Sequence, residues 1–175
     1  MLRCGPRWLV PVSKSPKGRL ALVAVREFGS RSFDEVTVGA LAADADVTTG
    51  ALYHHFQSKL GLYVFVRRDV ERRLLDRMEG AVAGAAADPL TTALIVGFDF
   101  AVQQGFVRLL SEPSPGHEED PLVTLLTRLG HPVPAPIGQI LASAWRASLS
   151  SVADGGSVEH ARRALLALNV RHDAS

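Results

Sequence analysis

The feature that most constrains this chain is the window from Thr37 to Lys59, TVGALAADADVTTGALYHHFQSK. Two short runs with apolar residues at helical spacing flank Ala45-Asp46-Val47, and a threonine stands at the start of each. Two short helices joined by a three-residue turn have the helix-turn-helix spacing. Leu41, Ala42, Ala45, Val47, Leu52 and Phe56 supply the buried face, and Ala42 and Ala45 are small because helices that cross steeply leave little room. Thr48, Thr49, Tyr53, His54 and Lys59 project the other way, with hydroxyl, phenol, imidazole and ammonium groups that bond phosphate oxygens or base edges. Gly50 sits inside the second of these helices, where glycine costs about 1 kcal/mol relative to alanine. Its presence suggests close approach of the backbone to a partner. The competing reading of the window is a helical hairpin with a structural role only.

The rest of the sequence is helical in period, so an all-α fold is expected. The first helix should run from Pro16 to about Phe28 behind Ser15, with Leu20, Val23, Ala24 and Phe28 on one face. Thr37 caps a helix to about Asp44, and Thr48 opens one to about His55. Ser58 caps a long helix from Lys59 to about Ala87, on the order of 43 Å at 1.5 Å per residue, which is long enough to bridge two modules. Asp88-Pro89 and Asp120-Pro121 each read as a cap followed by proline at the first helical position. They open helices near 90–111, with a break around Gly105, and over 121–129. Residues 111–120 and 130–136 are loops by their proline and glycine content. A helix over Ile137–Val152 should bury Ile137, Ile140, Leu141, Ala144, Trp145, Ser148 and Val152, and Ser157 caps a last helix to about Asn169. The expected division is an arm over 1–15, a helix-turn-helix domain over 16–60 and a helical domain over 61–175.

Charge supports that division. The whole chain carries +1, but residues 1–80 hold +4 and residues 81–175 hold −3. A basic front and an acidic back suggest a polyanion-facing module joined to something else. The single cysteine, Cys4, excludes an internal disulfide framework and a thiolate metal cluster, and makes a reducing, cytoplasmic setting the economical expectation. No apolar run approaches the 18 residues of a membrane span, and the short apolar stretch Trp8–Val12 is too brief for a secretory signal. No nucleophile–base–acid set, phosphate loop, paired-carboxylate motif or metal spacing appears, so no enzyme activity and no cofactor are expected.

Over residues 17–62 the sequence resembles the TetR family of transcriptional regulators. Leu41-Ala42, Ala45-Asp46-Val47, Thr48, Gly50, Leu52-Tyr53, His55-Phe56 and Lys59 match the family's run in register, and Phe28, Phe33 and Thr37 match its upstream positions. Three positions depart from it. Asp46 stands where the family usually has a turn glycine, and aspartate tolerates the left-handed region that such a turn needs. Ser32 replaces another frequent glycine, and Gly39 sits inside the second helix. The resemblance implies a homodimer that places two copies of the third helix in successive major grooves of a near-palindromic operator in double-stranded DNA. By position, Thr48, Thr49, Gly50, Tyr53 and His54 would meet bases or phosphates, while Thr37 and Lys59 would clamp the backbone. The family's last two helices form the dimer interface. Here they are 137–152 and 157–169, where Ala142, Ser143, Ala147, Ser150 and Ser151 would permit close approach.

Outside the window the residues leave alternatives open. Phe98, Phe106 and Trp145, with Phe100, either line the ligand cavity the family builds among these helices or form ordinary core. The charge run on the long helix, Arg67, Arg68, Arg72, Arg73 and Arg77 with Asp69, Glu71, Asp76 and Glu79, reads as a solvated face paired through Asp69–Arg73 and Arg72–Asp76. Arg3, Arg7, Lys14, Lys17 and Arg19 either form a minor-groove arm or have no role, and His117 to Asp120 reads as a solvated loop. The function expected is a DNA-binding regulator, a repressor released by a small-molecule effector. With four aromatics, a net charge of −3 and few isolated buried-looking charges in the back half, that effector is expected to be apolar or cationic rather than a polyanion. The alternative is a helical dimeric ligand- or partner-binding protein that has lost DNA recognition.

Overall fold

The helices begin where the capping residues stand. In the computed structural model, which describes residues 15–85, 88–113, 115, 119–131, 133 and 136–168, α1 (Pro16–Ser30) opens behind Ser15, whose hydroxyl accepts the Gly18 N–H. α2 (Val38–Asp44) and α3 (Thr49–Phe56) open behind Thr37 and Thr48, and α4 (Lys59–Ala83) behind Ser58. α5 (Pro89–Gln104) and α7 (Pro121–Leu129) start at proline behind the carboxylates of Asp88 and Asp120. Between them lies the short α6 (Val107–Leu110); α8 (Ile137–Ala153) and α9 (Val158–Ala167) complete the order, α9 behind Ser157. Each capping side chain satisfies a backbone N–H that the first turn leaves orphaned, which contributes about 1 kcal/mol. Among the described residues there is no strand, so the all-α reading holds.

One apolar core runs through the whole assembly. α1 buries Leu20, Val23, Ala24 and Phe28 against α2, α3, α4 and α6, and α4 packs along α5 through Leu74, Met78, Ala93 and Phe98. α7 lies on α8, and α9 rests on α8 and α5 through Ala161 and Leu165. Fully burying each leucine or phenylalanine contributes roughly 1.5–3 kcal/mol. The α5–α6 corner turns at Gly105, whose φ of 74° suits glycine. The end of α1 sits against that corner so closely that a Cβ on Gly29 would meet the Gly105 carbonyl oxygen at 2.4 Å. The basic module is thereby packed onto the helices behind it.

Three expectations need correction. α4 ends at Ala83, where Gly84 follows, which makes it about 37 Å long rather than 43 Å; Ala86 and Ala87 lie outside the described residues. α9 ends at Ala167, and Asn169 lies outside them too. On α8 the buried face is Gly138, Leu141, Ala142, Trp145, Arg146 and Leu149, not the stripe through Ile140. Ile140 is 56 % exposed, because α7 and α5 both press on the side of α8 that carries Leu141, Ala142 and Trp145. The arm residues Arg3, Arg7, Trp8 and Lys14 lie outside the described residues, as do His117 and Glu118.

Two glycines test this packing in opposite directions. Gly29→Ala should lower stability by about 1–3 kcal/mol, since backbone cannot yield as a side-chain end can. Gly39→Ala should raise it by about 0.5–1 kcal/mol, because nothing lies within 4 Å of the new Cβ in α2. Urea titration reads both; a Gly29→Ala protein as stable as the parent would contradict the contact of α1 with the α5–α6 corner.

Candidate nucleic-acid interface

α2 and α3 meet through Ala45, Asp46 and Val47. Asp46 has φ 51°, so it does adopt the left-handed conformation, and the turn survives without glycine. Arg19 of α1 grips that turn from behind: Nε donates to the Ala45 carbonyl and Nη2 to the Asp46 carbonyl, both at 2.9 Å. Arg26, also on α1, pairs with Asp44 at the end of α2 at 2.9 Å. The ammonium of Lys17 lies 5.1 Å from the Phe65 ring centroid and 5.8 Å from that of Phe56. Lys17 and Arg19 are therefore parts of the folded module, not of an arm, and no periodicity in the sequence marks Arg19 as the clamp of the turn. Ser32 also finds a role. Its N–H and hydroxyl donate to Glu35 at 2.8 and 2.7 Å, and these hydrogen bonds hold the Glu35 carboxyl below its usual pKa.

With Leu52 and Phe56 turned into the core, the opposite side of α3 is bare. At about 100° per residue, Thr49, Gly50, Tyr53 and His54 share an arc of about 140°, and all four are exposed, Tyr53 by 52 %. Gly50 has no internal reason to be glycine. A Cβ there would meet only the Thr48 hydroxyl, at an ordinary 3.6 Å. Thr37 and Thr48 are exposed at the N-termini of α2 and α3, where their oxygens accept the Ala40 and Ala51 N–H groups at 3.2 Å. Each hydroxyl hydrogen is left to donate outward. His55 is half-buried, with its ring edge-on to both His54 and Phe56.

Lys59 differs from the others. Its Nζ donates to the carbonyls of Phe33 and Val36 at 2.9 and 3.0 Å and lies 4.1 Å from the Phe33 ring centroid. Phe28, Phe33 and Tyr63 form an aromatic cluster beside it. Two of the three ammonium N–H groups are thus committed to the loop between α1 and α2, so Lys59 is first an anchor, and one N–H remains to reach outward.

The residues expected around a ligand are packed. Phe98 and Trp145 are wholly buried, and the Trp145 indole N–H donates to the Leu94 carbonyl at 3.1 Å. Neither lines the open grooves beside α7. Phe106 is buried too, with one edge on a shallow opening shared with Phe100, Arg73 and Asp99. One groove of about 1030 Å³ separates α4 from α7, with Val64, Phe65, Leu75 and Leu125 among its lining. A second, of about 750 Å³, lies between α7 and α8.

The charge run on α4 is not uniformly solvated. Asp69 pairs with Arg73 at 2.7 Å and with Arg72 at 2.5 Å, but Arg67 and Glu71 are 1 % and 3 % exposed. Arg67 Nη1 lies 3.3 Å from Glu71, and Nη2 donates to the Glu112 carbonyl at 3.0 Å. Burial pushes the Arg67 guanidinium below its usual pKa, with Glu71 pulling it back up. Burial also raises the Tyr63 phenol. Arg146 of α8 is buried as well, against Asp120. Among the described residues no group of three or more His, Cys, Asp or Glu side chains could hold a metal, and no helix is long and apolar enough to cross a membrane.

Comparison with known proteins finds these likenesses. Residues 22–64 match the family model of bacterial regulatory proteins of the tetR family. The crystal structure of a TetR-like transcriptional regulator from Rhodococcus sp. RHA1 superposes with a TM-score of 0.67 at 21 % identity, covering 89 % of this chain and 94 % of that one. A TetR-family regulator from Streptomyces coelicolor A3 aligns over 94 % of this chain and 98 % of its own at 16 % identity, with a TM-score of 0.46. No curated protein matches the sequence. The Lys59 anchor has a direct consequence: Lys59→Met should cost about 1–3 kcal/mol by leaving two carbonyls without their charged donor, read as an earlier urea midpoint. An unchanged midpoint would mean that the ammonium does not hold the α1–α2 loop.

Proposed function

We propose that this chain, a member of the TetR family through its N-terminal module, is a sequence-specific DNA-binding transcriptional regulator: a homodimer that represses from a near-palindromic operator and is released by a small-molecule effector. The observation that carries the reading is the bare arc of α3. A helix that turns threonine, tyrosine and histidine outward beside a glycine with open space above it suits a major groove. Thr37 and Thr48, at helix N-termini, suit phosphate contacts, as does the remaining N–H of Lys59. The reading takes 16–60 as the DNA-binding domain and 61–175 as the domain for ligand and dimer. The alternative, loss of DNA recognition, drew on Asp46 and Gly39. It weakens because the turn keeps its left-handed residue and Gly39 lies on an exposed side of α2.

A second copy of the chain suits the outer faces of α8 and α9. Ser143, Ala147, Ser150 and Ser151 are exposed beside Ile140, and Val158, Leu166 and Leu168 are exposed large apolar residues nearby. Ala142 and Leu165 face the core instead, so they are not the residues with which to probe the interface. An effector would act by preferring a spacing of the two α3 helices that DNA does not, transmitted through α4.

Fluorescence anisotropy with duplex DNA from the chain's own upstream region, titrated across salt, tests this. The parent should bind with an affinity that falls steeply as salt rises. Gly50→Ala should leave the fold as stable or stabler and weaken binding at least tenfold. Ile140→Glu should scatter light as an 18.8 kDa monomer and lose most operator affinity. Equal affinity for operator and scrambled duplex at every salt concentration would end the sequence-specific reading.

A further inference from the structure

α2 ends in a backbone arrangement that ordinarily takes glycine. The Val47 N–H donates to the Ala42 carbonyl at 3.0 Å and the Asp46 N–H to the Ala43 carbonyl at 3.1 Å. A helix end with this pair of bonds usually has glycine as its left-handed residue. Here that residue is Asp46, at φ 51°. An L side chain resists such a conformation, so other contacts have to hold it. The two backbone bonds use the carbonyls of Ala42 and Ala43, and those of Ala45 and Asp46 need donors from elsewhere. Arg19 supplies them, Nε to Ala45 and Nη2 to Asp46, each at 2.9 Å. One planar guanidinium therefore spans the two peptides on either side of Asp46. It also sets a positive charge at the C-terminal end of α2, where the helix dipole favours a cation.

We propose that Arg19 is a positioning residue for DNA reading: by holding both peptides of Asp46 it stands in for the missing glycine and fixes the angle at which α3 leaves α2. Thr48 caps α3 two residues beyond Asp46, so no slack separates the clamped turn from the outward residues. Contacts to base edges need their side chains held within about 0.5 Å and 10–20°. Phosphate contacts through mobile or charged groups demand less, so a loosened turn loses sequence discrimination first. Arg19 itself touches neither base nor phosphate in this account. The DNA role rests on the regulator reading; the clamp on the turn does not.

The test compares operator and scrambled duplex by anisotropy across salt, at a temperature where circular dichroism shows every variant folded. Arg19→Met keeps an unbranched stem and removes the donors. It should lower the ratio of operator to scrambled affinity roughly tenfold, about the effect of one mismatched base pair, and leave the salt slope unchanged. Arg19→Lys, with the charge but no fork to span two carbonyls, should fall between the two. Adding Asp46→Gly to Arg19→Met should recover most of the ratio, while Asp46→Gly alone should change it little. A slope reduced by about 0.9, with both duplexes weakened alike, would make Arg19 a phosphate contact and overturn the proposal. An undiminished ratio in Arg19→Met, or a double variant no better than Arg19→Met, would overturn it too. Hydrogen exchange at the Val47 amide, measured without DNA, reads the clamp separately: it should quicken in Arg19→Met and slow again in the double variant. A parent with no preference for operator overturns the regulator reading, whereas unchanged Val47 exchange in Arg19→Met overturns the clamp.

Discussion

The bearing of the outward helix depends on a two-residue joint. α3 ends at Phe56, capped by Gln57 at φ 67°, and α4 begins at once behind Ser58. The chain reverses so tightly that a Cβ on Gly61 would sit 2.1 Å from the Phe56 carbonyl oxygen. A non-glycine residue in the left-handed region costs of order 1–2 kcal/mol, and the surrounding contacts hold it there. Lys59 pins the next residue of α4 to the α1–α2 loop, and Tyr63, one turn on, packs its ring against Phe28 and Phe33. The direction of α3 is thus locked to that of α4, and the arc of Thr49, Gly50, Tyr53 and His54 points where α4 points.

That lock gives the rest of the chain its leverage. α4 runs about 37 Å from the joint, and it is packed along one side by α5 and met across an open groove by α7. α1 ties the same module to the α5–α6 corner at Gly29 and Gly105. A shift of the back helices would reach α3 by two routes, along α4 and through α1. Neither is soft: both are backbone-close contacts in a continuous core, where small displacements are passed on.

Much of this was legible in the residues. The caps Ser15, Thr37, Thr48, Ser58, Asp88, Asp120 and Ser157 fixed the helix starts, because a side-chain acceptor is a local device readable without tertiary context. The outward residues of α3 followed from spacing for the same reason. What was illegible depended on which neighbour comes to lie against a helix. Arg67 and Glu71 sit in a charged run that reads as solvated until the loop around Glu112 covers them. Ile140 read as core because period alone cannot say which of two adjacent stripes meets α7. Lys59 and Arg19 bond backbone carbonyls 23 to 27 residues away, and a carbonyl leaves no mark in a sequence.

The central claim is that α3 reads DNA as one of a symmetric pair, and selection from a pool of random-sequence duplexes tests it most directly. The account predicts recovery of an inverted repeat whose half-sites are centred about one helical turn apart, roughly 10 base pairs, or a multiple of it. Its information should lie at the bases an exposed Thr49, Tyr53 and His54 can reach. Recovery of no common sequence, or of a single half-site with no symmetric partner, would contradict it.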